Sequence, residues 1–480
     1  MRTSSIARRT VAAAAAGALV LVVAPAALAA DGKWTQVSNY SNANSYPKMG
    51  NIDEPTMARF GSEVQILWSE DNSSSTSSYK TAMVNGAGKI TMPATTAFGG
   101  WSAIAHNPAL ISLNGQRFLA FSGLQSTTTG APYTSGAEYY ATSGDGKTWN
   151  LGPGSLSATR SAYASYSNDV VDNAGTPVWI GSASSTSGIN WHVGVSPTDP
   201  APDGSDGQFR LPGCCAYDGA GARDQATGAV WAAFYSNSSA LNEQGIQVGQ
   251  IVPFAGSFTQ APGSVIDRDG SAASADPGQR VAMAARAGGG VYVAYPVGYP
   301  TTTAINLWKV GSGQVLKIPA PEARAVTMSA DPEGRLWVSW SSKNRVKVVH
   351  TNTAGTALGA VGSFGAPKGT DTVWSSASSA AGGGLDVAYS VTSRSAINVW
   401  HTHVLRTLSV DGPKTASRGS SVTFTVSDAG DPVAGAKVTF GGRSATTNAQ
   451  GKATLRASGG NGVRAAKAGY NTGTTAVRVR

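Results

Sequence analysis

Short apolar and aromatic runs recur along most of the chain, each preceded by a small or polar run and a glycine turn. The apolar runs place β-branched residues beside aromatic ones, as in Val291-Tyr292-Val293 and Leu336-Trp337-Val338. This composition favours strands, and long stretches with the 3.6-residue period of an amphipathic helix are not evident. The pattern therefore predicts an all-β protein built from many short strands.

One sequence motif, which predicts two strands joined by a glycine turn, occurs seven times. A third predicted strand follows most copies of this motif. The copies span residues 54–69, 107–122, 168–182, 215–236, 280–295, 325–341 and 372–390. Equivalent positions in successive copies are 45 to 61 residues apart, and a four-stranded propeller blade has a period of about 40–50 residues. The repeat predicts a β-propeller over residues 30–407, with seven blades favoured and six as the alternative. We disfavour a β-sandwich because its sequence would not contain one motif seven times. We disfavour a β-helix because its repeats have shorter periods.

The repeated sequence pattern ends near residue 408, and a different pattern follows. Residues 421–426 alternate apolar and polar positions, and the segments GDPVAGAKV, TNAQGKA and KAGY follow at 430–438, 447–453 and 467–470. Over about 70 residues this resembles the bacterial immunoglobulin-like modules of secreted and surface proteins. The resemblance implies a small β-sandwich at 408–480 that serves as a spacer, adhesion unit or wall anchor.

The N-terminus has the features of a secretory signal peptide. Arg2, Arg8 and Arg9 precede an apolar run at 11–23, and the small-x-small sequence Ala-Leu-Ala occupies 27–29, which signal peptidase recognises. The run is shorter than the ~20 residues of a membrane-spanning helix. We expect residues 1–29 to be removed and the protein to be extracellular, either free or associated with the cell wall. The Arg8-Arg9 pair leaves the twin-arginine route open beside ordinary secretion.

The excess of positive charge belongs to the C-terminal module. The chain has 36 Lys and Arg against 27 Asp and Glu; residues 410–480 hold 10 and 3 of them, and the signal peptide holds 3 basic residues, which leaves 23 against 24 elsewhere. Outside the cell, a basic module suggests an anionic wall polymer or acidic polysaccharide more than nucleic acid. Solubility alone explains the charge equally well. We expect a glycan partner, no transmembrane segment and a monomer.

The two cysteines are adjacent, so they cannot close a loop. Neighbouring Cα atoms lie ~3.8 Å apart, below the usual disulfide range of ~4.4–6.8 Å. We favour a strained vicinal disulfide between Cys214 and Cys215, with two free thiols as the alternative.

Chemistry-bearing residues gather where the first strand of each repeat begins. In a propeller these strands line the central channel, so their starts share one mouth. The residues at these positions are Asp53 and Glu54, His106 and Asn107, Asn168 and Asp169, Cys214 and Cys215, Gln279 and Arg280, Glu322 and Arg324, and Asp371. Apolar residues follow in the same strands, and a polar mouth over an apolar shaft suits a ligand site. Any one of these residues could instead satisfy backbone groups.

Two further motifs carry a family resemblance. Residues 143–149, SGDGKTW, resemble the Asp-box of sialidase-like propellers with one residue missing, a structural turn on the outer rim. Residues 33–405 broadly resemble the sialidase and BNR-repeat superfamily, and 106–122 is similar to a segment of polysaccharide-lyase-type members whose histidine lines the active site. The Arg-Ile-Pro signature of true sialidases is absent.

The resemblance implies a role for each candidate residue. His106 would act as general acid or base, and Arg280 or Arg324 would neutralise a uronate carboxylate. We take His106, Glu54 and Asp169 as candidate catalytic residues. The candidate substrate-binding residues are Asp53, Asn107, Arg280, Arg324 and Asp371.

Metal and cofactor signals are weak. Among the five histidines only His401 and His403 have close spacing, and they share one strand face, so we expect them to pack in the last blade. The turns at 203–207 and 267–270 lack a full set of oxygen ligands for calcium. We therefore expect no cofactor, with structural calcium as the alternative.

These observations lead to two hypotheses. The first is a secreted hydrolase or lyase acting on an extracellular, acidic polysaccharide at the central funnel. The second is a non-catalytic adhesin or wall lectin. A multivalent lectin should repeat the same residues between blades, whereas the residues at the strand starts differ from blade to blade, which favours one asymmetric site.

Overall fold

A computed structural model describes residues 33–42, 44–50, 55–126, 137–152, 168–182, 187–195, 207–213, 216–238, 240–264, 281–298, 301–367, 370–393 and 396–480. For residues 102–107, 122–126, 137–138, 168, 182, 187, 216–218, 241, 370–376 and 393 it describes the backbone alone. Within these ranges regular structure is almost entirely β, apart from a 3₁₀ turn at Leu241–Glu243. None of their helices is long and apolar enough to span a membrane.

The first strands form two sheets joined by one long strand. The strands are β1 (Trp34–Gln36), β2 (Lys48–Met49), β3 (Thr56–Phe60), β4 (Glu63–Asp71), β5 (Ser77–Asn85), β6 (Ile90–Leu113), β7 (Gln116–Ser126), β8 (Ala137–Ser143) and β9 (Asn150–Leu151). The 24-residue strand β6 is the fourth strand of the group β3–β4–β5–β6 and then the first strand of the group β6–β7–β8–β9. Its pairing with β7 shifts register between Ala105 and Ala109.

The next strands form separate antiparallel sheets in which each strand pairs with its neighbour in sequence. One sheet holds β10 (Asn168–Asn173), β11 (Thr176–Ser182), β12 (Ser187–Val193) and β13 (Gly207–Leu211). A second holds β14 (Ala216–Arg223), β15 (Val230–Ser236), β16 (Gly245–Val252) and β17 (Thr259–Gln260). A third holds β18 (Ala282–Ala285), β19 (Val291–Val297), β20 (Ala304–Lys309) and β21 (Val315–Pro319), and a fourth holds β22 (Arg324–Ala330), β23 (Leu336–Ser342), β24 (Arg345–His350) and β25 (Gly362–Gly365).

The last sheet of the series takes its outer strand from the N-terminus. Its own strands are β26 (Thr370–Ala381), β27 (Gly384–Ser393) and β28 (Ala396–Thr407), and β1 pairs antiparallel with β28. The first strands of successive groups contact one another, from β3 through β6, β10, β14, β18 and β22 to β26, and β26 contacts β3 again. This closed radial arrangement of four-stranded sheets is that of a β-propeller.

The repeated sequence motif spans the first two strands of each group. The second strand lies between neighbouring sheets, so side chains on both of its faces are covered; every residue of β23 is buried. This explains why the second strands contain continuous apolar and aromatic runs. The fourth strands lie at the exposed edge, where only one of the five residues of β21 is fully buried, and this is why the sequence defines them poorly.

Residues 408–480 form two four-stranded sheets and a two-stranded ladder, and one further strand of this segment pairs with β28 of the propeller. The strands are β29 (Ser409–Asp411), β30 (Thr415–Ala416), β31 (Ser421–Asp428), β32 (Asp431–Pro432), β33 (Lys437–Phe440), β34 (Arg443–Thr446), β35 (Lys452–Arg456), β36 (Gly462–Ala466), β37 (Tyr470–Asn471), β38 (Gly473–Ala476) and β39 (Arg478–Val479). Apolar residues alternate with exposed ones in β31 and β35. The apolar faces meet in one core, where the Phe424 and Phe440 rings lie 5.3 Å apart.

A buried aspartate joins this C-terminal sandwich to the propeller. The Asp428 carboxylate is fully buried and lies 3.1 Å from Nε2 of His350, 3.4 Å from Nε of Arg335 and 3.7 Å from Nη1 of Arg406. Arg335 is the last residue of the turn between β22 and β23. The sandwich therefore attaches at the end of the propeller where first and second strands connect, which we call the hairpin end. The first strands begin at the opposite end, which we call the strand-start end and where second and third strands connect.

A second buried aspartate joins the two ends of the ring. Asp386 of β27 lies 2.8 Å from Nε2 of His401 and 3.1 Å from Nδ1 of His403, both in β28, and forms an ion pair with Arg59 of β3. Burial alone would raise the pKa of Asp386, but the hydrogen bonds and charges of the two histidines hold it well below the usual range. The two histidines thus pack in the closing sheet, as the sequence predicts, and Arg59 ties the first sheet to them.

We expect Asp386→Asn to destabilise the protein by about 3 kcal/mol at pH 7, because it leaves Arg59 without its buried charge partner. Because folding lowers the pKa of Asp386, its ionised carboxylate stabilises the native state at pH values above the pKa it has in the unfolded chain, which is about 4. This stabilisation is lost progressively as the pH falls below that value. The difference in unfolding free energy between wild type and variant should therefore narrow in acid. The exposed Asp411→Asn is the control. Equal stability at pH 7, or a difference that widens in acid, would contradict this role.

Candidate functional site

Several residues predicted from the sequence lie outside the described part of the chain. These are Asp53, Glu54, Cys214, Cys215 and Arg280. The turn at 267–270, considered for calcium, also lies outside it, as does all but the last residue of the turn at 203–207. For His106, Asn107 and Asp371 only the backbone is described, in β6 for the first two and in β26 for the third. The vicinal disulfide and the roles of these side chains remain predictions.

Asp169 is described in full, and its carboxylate binds backbone groups. One oxygen accepts the N–H of Val170 at 2.9 Å, and the other accepts the N–H of Gly221, in β14 of the next sheet, at 2.7 Å. The carboxylate thus bridges two neighbouring first strands. This is the backbone-satisfying role that the sequence leaves open for residues at strand starts.

Arg324 is the first residue of β22 and its side chain is exposed. The strand has a bulge between Arg324 and Thr327, so its start departs from the regular ladder. Nearby, Glu322 pairs with Lys343 at 3.1 Å. Arg324 is therefore placed at the strand-start end and can reach an anion there.

A cleft of about 420 Å³ opens at the same end, between the N-terminal segment 38–47 and the β4–β5 hairpin. Cavities of roughly 300–1,000 Å³ hold small ligands in proteins. The lining residues are Ser38, Asn39, Tyr40, Ser41, Ser45, Tyr46, Pro47, Trp68, Glu70, Lys80 and Ala94. The cleft combines hydroxyl groups, aromatic rings and a pair of opposite charges.

A chain of hydrogen bonds organises the floor of the cleft. The Trp68 indole N–H donates to the Tyr40 hydroxyl at 2.9 Å, and that hydroxyl donates to Oε2 of Glu70 at 2.7 Å. The Lys80 ammonium lies 3.1 Å from Oε1 of Glu70. Glu70 is only 5% exposed, so both of its oxygens are held by partners rather than by solvent.

Tyr40 is fixed by its own backbone as well as by its hydroxyl. The Asn398 side chain in β28 accepts the Tyr40 N–H at 2.6 Å and donates to the Tyr40 carbonyl at 3.0 Å. Burial, together with the hydrogen bond to Glu70, raises the pKa of Tyr40 well above the usual tyrosine range. The phenol therefore stays protonated near neutral pH and acts as a hydrogen-bond donor rather than as a phenolate nucleophile.

This cleft lies apart from the starts of the repeated strands, so the repeat does not predict it. Tyr40 and Tyr46 lie in a polar segment before the first repeat, and Glu70 and Lys80 flank an ordinary hairpin turn. The available signal was the pair of tyrosines within a run of serine and asparagine residues at 38–46. Tyr46 is 46% exposed.

The aspartate of the turn at 143–149 binds the backbone of that same turn. Oδ1 of Asp145 accepts the N–H groups of Lys147 and Thr148, each at 2.8 Å, and these bonds lower the pKa of Asp145 to about 2. The Trp149 ring packs near Phe98, with centroids 6.4 Å apart. The turn connects the third and fourth strands of its group, so its role is structural. Within the described residues, no cluster of three or more His, Cys, Asp or Glu could hold a metal ion.

The sequence matches no family model and no curated protein. Among solved structures, polysaccharide lyase Uly1 aligns with a TM-score of 0.44 at 10% identity, over 77% of this chain and 94% of that one. The fucose-specific lectin from Aleuria aurantia aligns with a TM-score of 0.37 at 11% identity, over 74% and 93%. Trypanosoma rangeli sialidase in complex with sialic acid gives 0.38 at 10% identity, over 78% and 59%. Each similarity is weak, and no residue of this chain is assigned from it.

We expect Tyr40→Phe to lower the free energy of unfolding by about 1–3 kcal/mol, because it leaves the Trp68 N–H and Glu70 without their shared partner. Thermal unfolding of wild type and variant measures the effect. The matched control is Tyr46→Phe, which removes the hydroxyl of an exposed tyrosine in the same segment and should have little effect. Equal melting temperatures for Tyr40→Phe and Tyr46→Phe would mean that the hydrogen-bond chain does not hold the segment.

Proposed function

We propose that the chain is exported and forms a seven-bladed, sialidase-like β-propeller followed by an immunoglobulin-like module. The propeller recognises an extracellular, acidic polysaccharide at its strand-start end. The ring of first strands, which runs from β3 to β26 and returns to β3, supports the blade number. The alternating strands and single core of residues 408–480 support the immunoglobulin-like module.

The observation that carries the ligand class is the chemistry of the cleft. A sugar presents hydroxyl groups along its edges and an apolar face of C–H groups. The cleft offers serine hydroxyls and the partly exposed Lys80 ammonium as hydrogen-bonding partners, and the exposed Tyr46 ring as an apolar surface. Lys80 in the cleft and Arg324 elsewhere at the same end suit an acidic sugar, because both can pair with a carboxylate.

Catalysis at this end is the second candidate function. It is favoured by the variety of groups that the sequence places at the strand starts, since one asymmetric active site needs an acid, a base and a cation rather than one repeated residue. On this proposal His106 transfers a proton and Arg280 or Arg324 holds the uronate. A non-catalytic lectin or adhesin is the alternative, and it requires the cleft alone.

Binding of short acidic oligosaccharides tests the cleft. Truncation of a tyrosine that is a hot spot of a binding site costs about 2 kcal/mol or more, so Tyr46→Ala should weaken binding at least about tenfold. Calorimetric titration of the full chain with uronate oligomers measures this. Phe254→Ala is the matched control, because Phe254 is 44% exposed and contacts Trp191 in a different part of the propeller. Equal losses in the two variants, or no binding by the wild type, would contradict the proposed site.

Activity on acidic polysaccharides tests the catalytic candidate. Loss of a general acid or base costs about 10²–10⁴ in rate, so His106→Ala should lose most turnover while melting near the wild-type temperature. Arg280→Ala should behave in the same way. Reducing sugars report hydrolysis, and the ultraviolet absorbance of an unsaturated uronate reports elimination. Full activity of His106→Ala on a substrate that the wild type degrades would place the active site elsewhere.

A further inference from the structure

The charges of the C-terminal sandwich are separated in space. All ten of its basic residues are exposed, whereas Asp411 is the only exposed acid among the residues of 408–480. Asp428 is buried against Arg335 and His350 of the propeller. Asp431 lies 3.4 Å from Arg335 and accepts the N–H of Thr353 at 2.8 Å.

Contact with the propeller therefore removes most of the negative charge from the free surface of the sandwich. The arginines that pair with Asp428 and Asp431 belong to the hairpin end, so these two carboxylates face the propeller and are neutralised there. The surface left to solvent carries ten positive charges and one negative charge. The exposed surface is therefore more strongly positive than the net charge of the segment indicates.

Four of the exposed cations gather in one place, the small parallel ladder of β30 and β39. The Arg478 N–H donates to the Lys414 carbonyl at 2.9 Å, and the Arg418 N–H donates to the Arg480 carbonyl at 2.8 Å. These backbone bonds bring the four residues together across two strands. Within the described residues, none of the four side chains forms an ion pair. We call Lys414, Arg418, Arg478 and Arg480 the distal basic cluster.

The distal basic cluster lies far from the propeller contact. β31 runs from Ser421, next to the cluster, to Asp428, at the propeller; eight extended residues span about 23 Å. The cluster therefore points away from the hairpin end, which is itself opposite the strand-start end and its cleft. A polymer bound at the cluster would leave the cleft unobstructed.

We propose that the distal basic cluster is a second binding site, separate from the propeller cleft, and that its ligand is a polyanionic carbohydrate polymer. Charge complementarity selects the ligand: four unpaired cations along a two-stranded edge match a linear chain with regularly spaced sulfate, phosphate or carboxylate groups. Binding releases counterions, so it weakens steeply as salt increases.

The test compares two variants of the full chain that lose the same charge, both in the Tyr46→Ala background so that the cleft contributes little. The cluster variant is Lys414→Gln, Arg418→Gln, Arg478→Gln and Arg480→Gln. The control variant is Lys437→Gln, Arg443→Gln, Lys452→Gln and Arg464→Gln, which removes four exposed cations elsewhere on the sandwich. All eight positions are exposed, so both variants should melt near the parent temperature, and single substitutions serve if either does not.

Retention on heparin, polygalacturonate and a phosphate-backbone wall polymer is measured across a salt series, with duplex DNA as a rival polyanion. We expect the slope of log affinity against log salt to fall by about 3 in the cluster variant, since each lost cation removes roughly 0.7–0.9. The control variant should change it by less than about 1. Equal losses in the two variants, or no retention of the parent at low salt, would overturn the proposal. Tighter binding to DNA than to every carbohydrate polymer would show that the ligand class is wrong.

Discussion

Strand β1 closes the ring of sheets, and both the junction of the propeller and the cleft are built on this closure. This three-residue strand supplies the outer edge of the sheet formed by β26, β27 and β28, so the two ends of the propeller sequence must meet. The entropic cost of closing so long a loop grows only slowly with its length, and buried contacts across the junction offset it. Among these contacts, Asp386 joins Arg59 of the first sheet to two histidines of the last.

The same closure builds the cleft. The segment that follows β1 crosses from the last sheet to the first, and Asn398 of β28 holds it by the Tyr40 backbone. Tyr40 can then bridge Trp68 and Glu70 of β4. The C-terminal sandwich attaches at the other end of the ring through Asp428. The molecule therefore has a polar cleft at one end and a basic, almost acid-free surface beyond the other.

The sequence predicts the repeating part of the fold well, because the second strand of each group is covered on both faces and its apolar run is visible locally. Leu336-Trp337-Val338 is an example. It predicts closure and the cleft poorly. Pairing of Trp34 with Thr402 and the contact of Tyr40 with Glu70 depend on where the ring ends meet, which no local pattern encodes. Asp169 illustrates a third case: its position is predicted, but its carboxylate binds the Gly221 backbone.

Native-state hydrogen exchange at the junction tests most directly whether the structure depends on closure. The Val37 amide donates to the Val399 carbonyl at 2.8 Å, immediately after β1. If closure holds the ring, this amide should exchange through the same opening, with the same denaturant dependence, as the core amides of β27, such as that of Tyr389. Exchange of Val37 through a separate, much less stable opening, while β27 stays protected, would contradict the account.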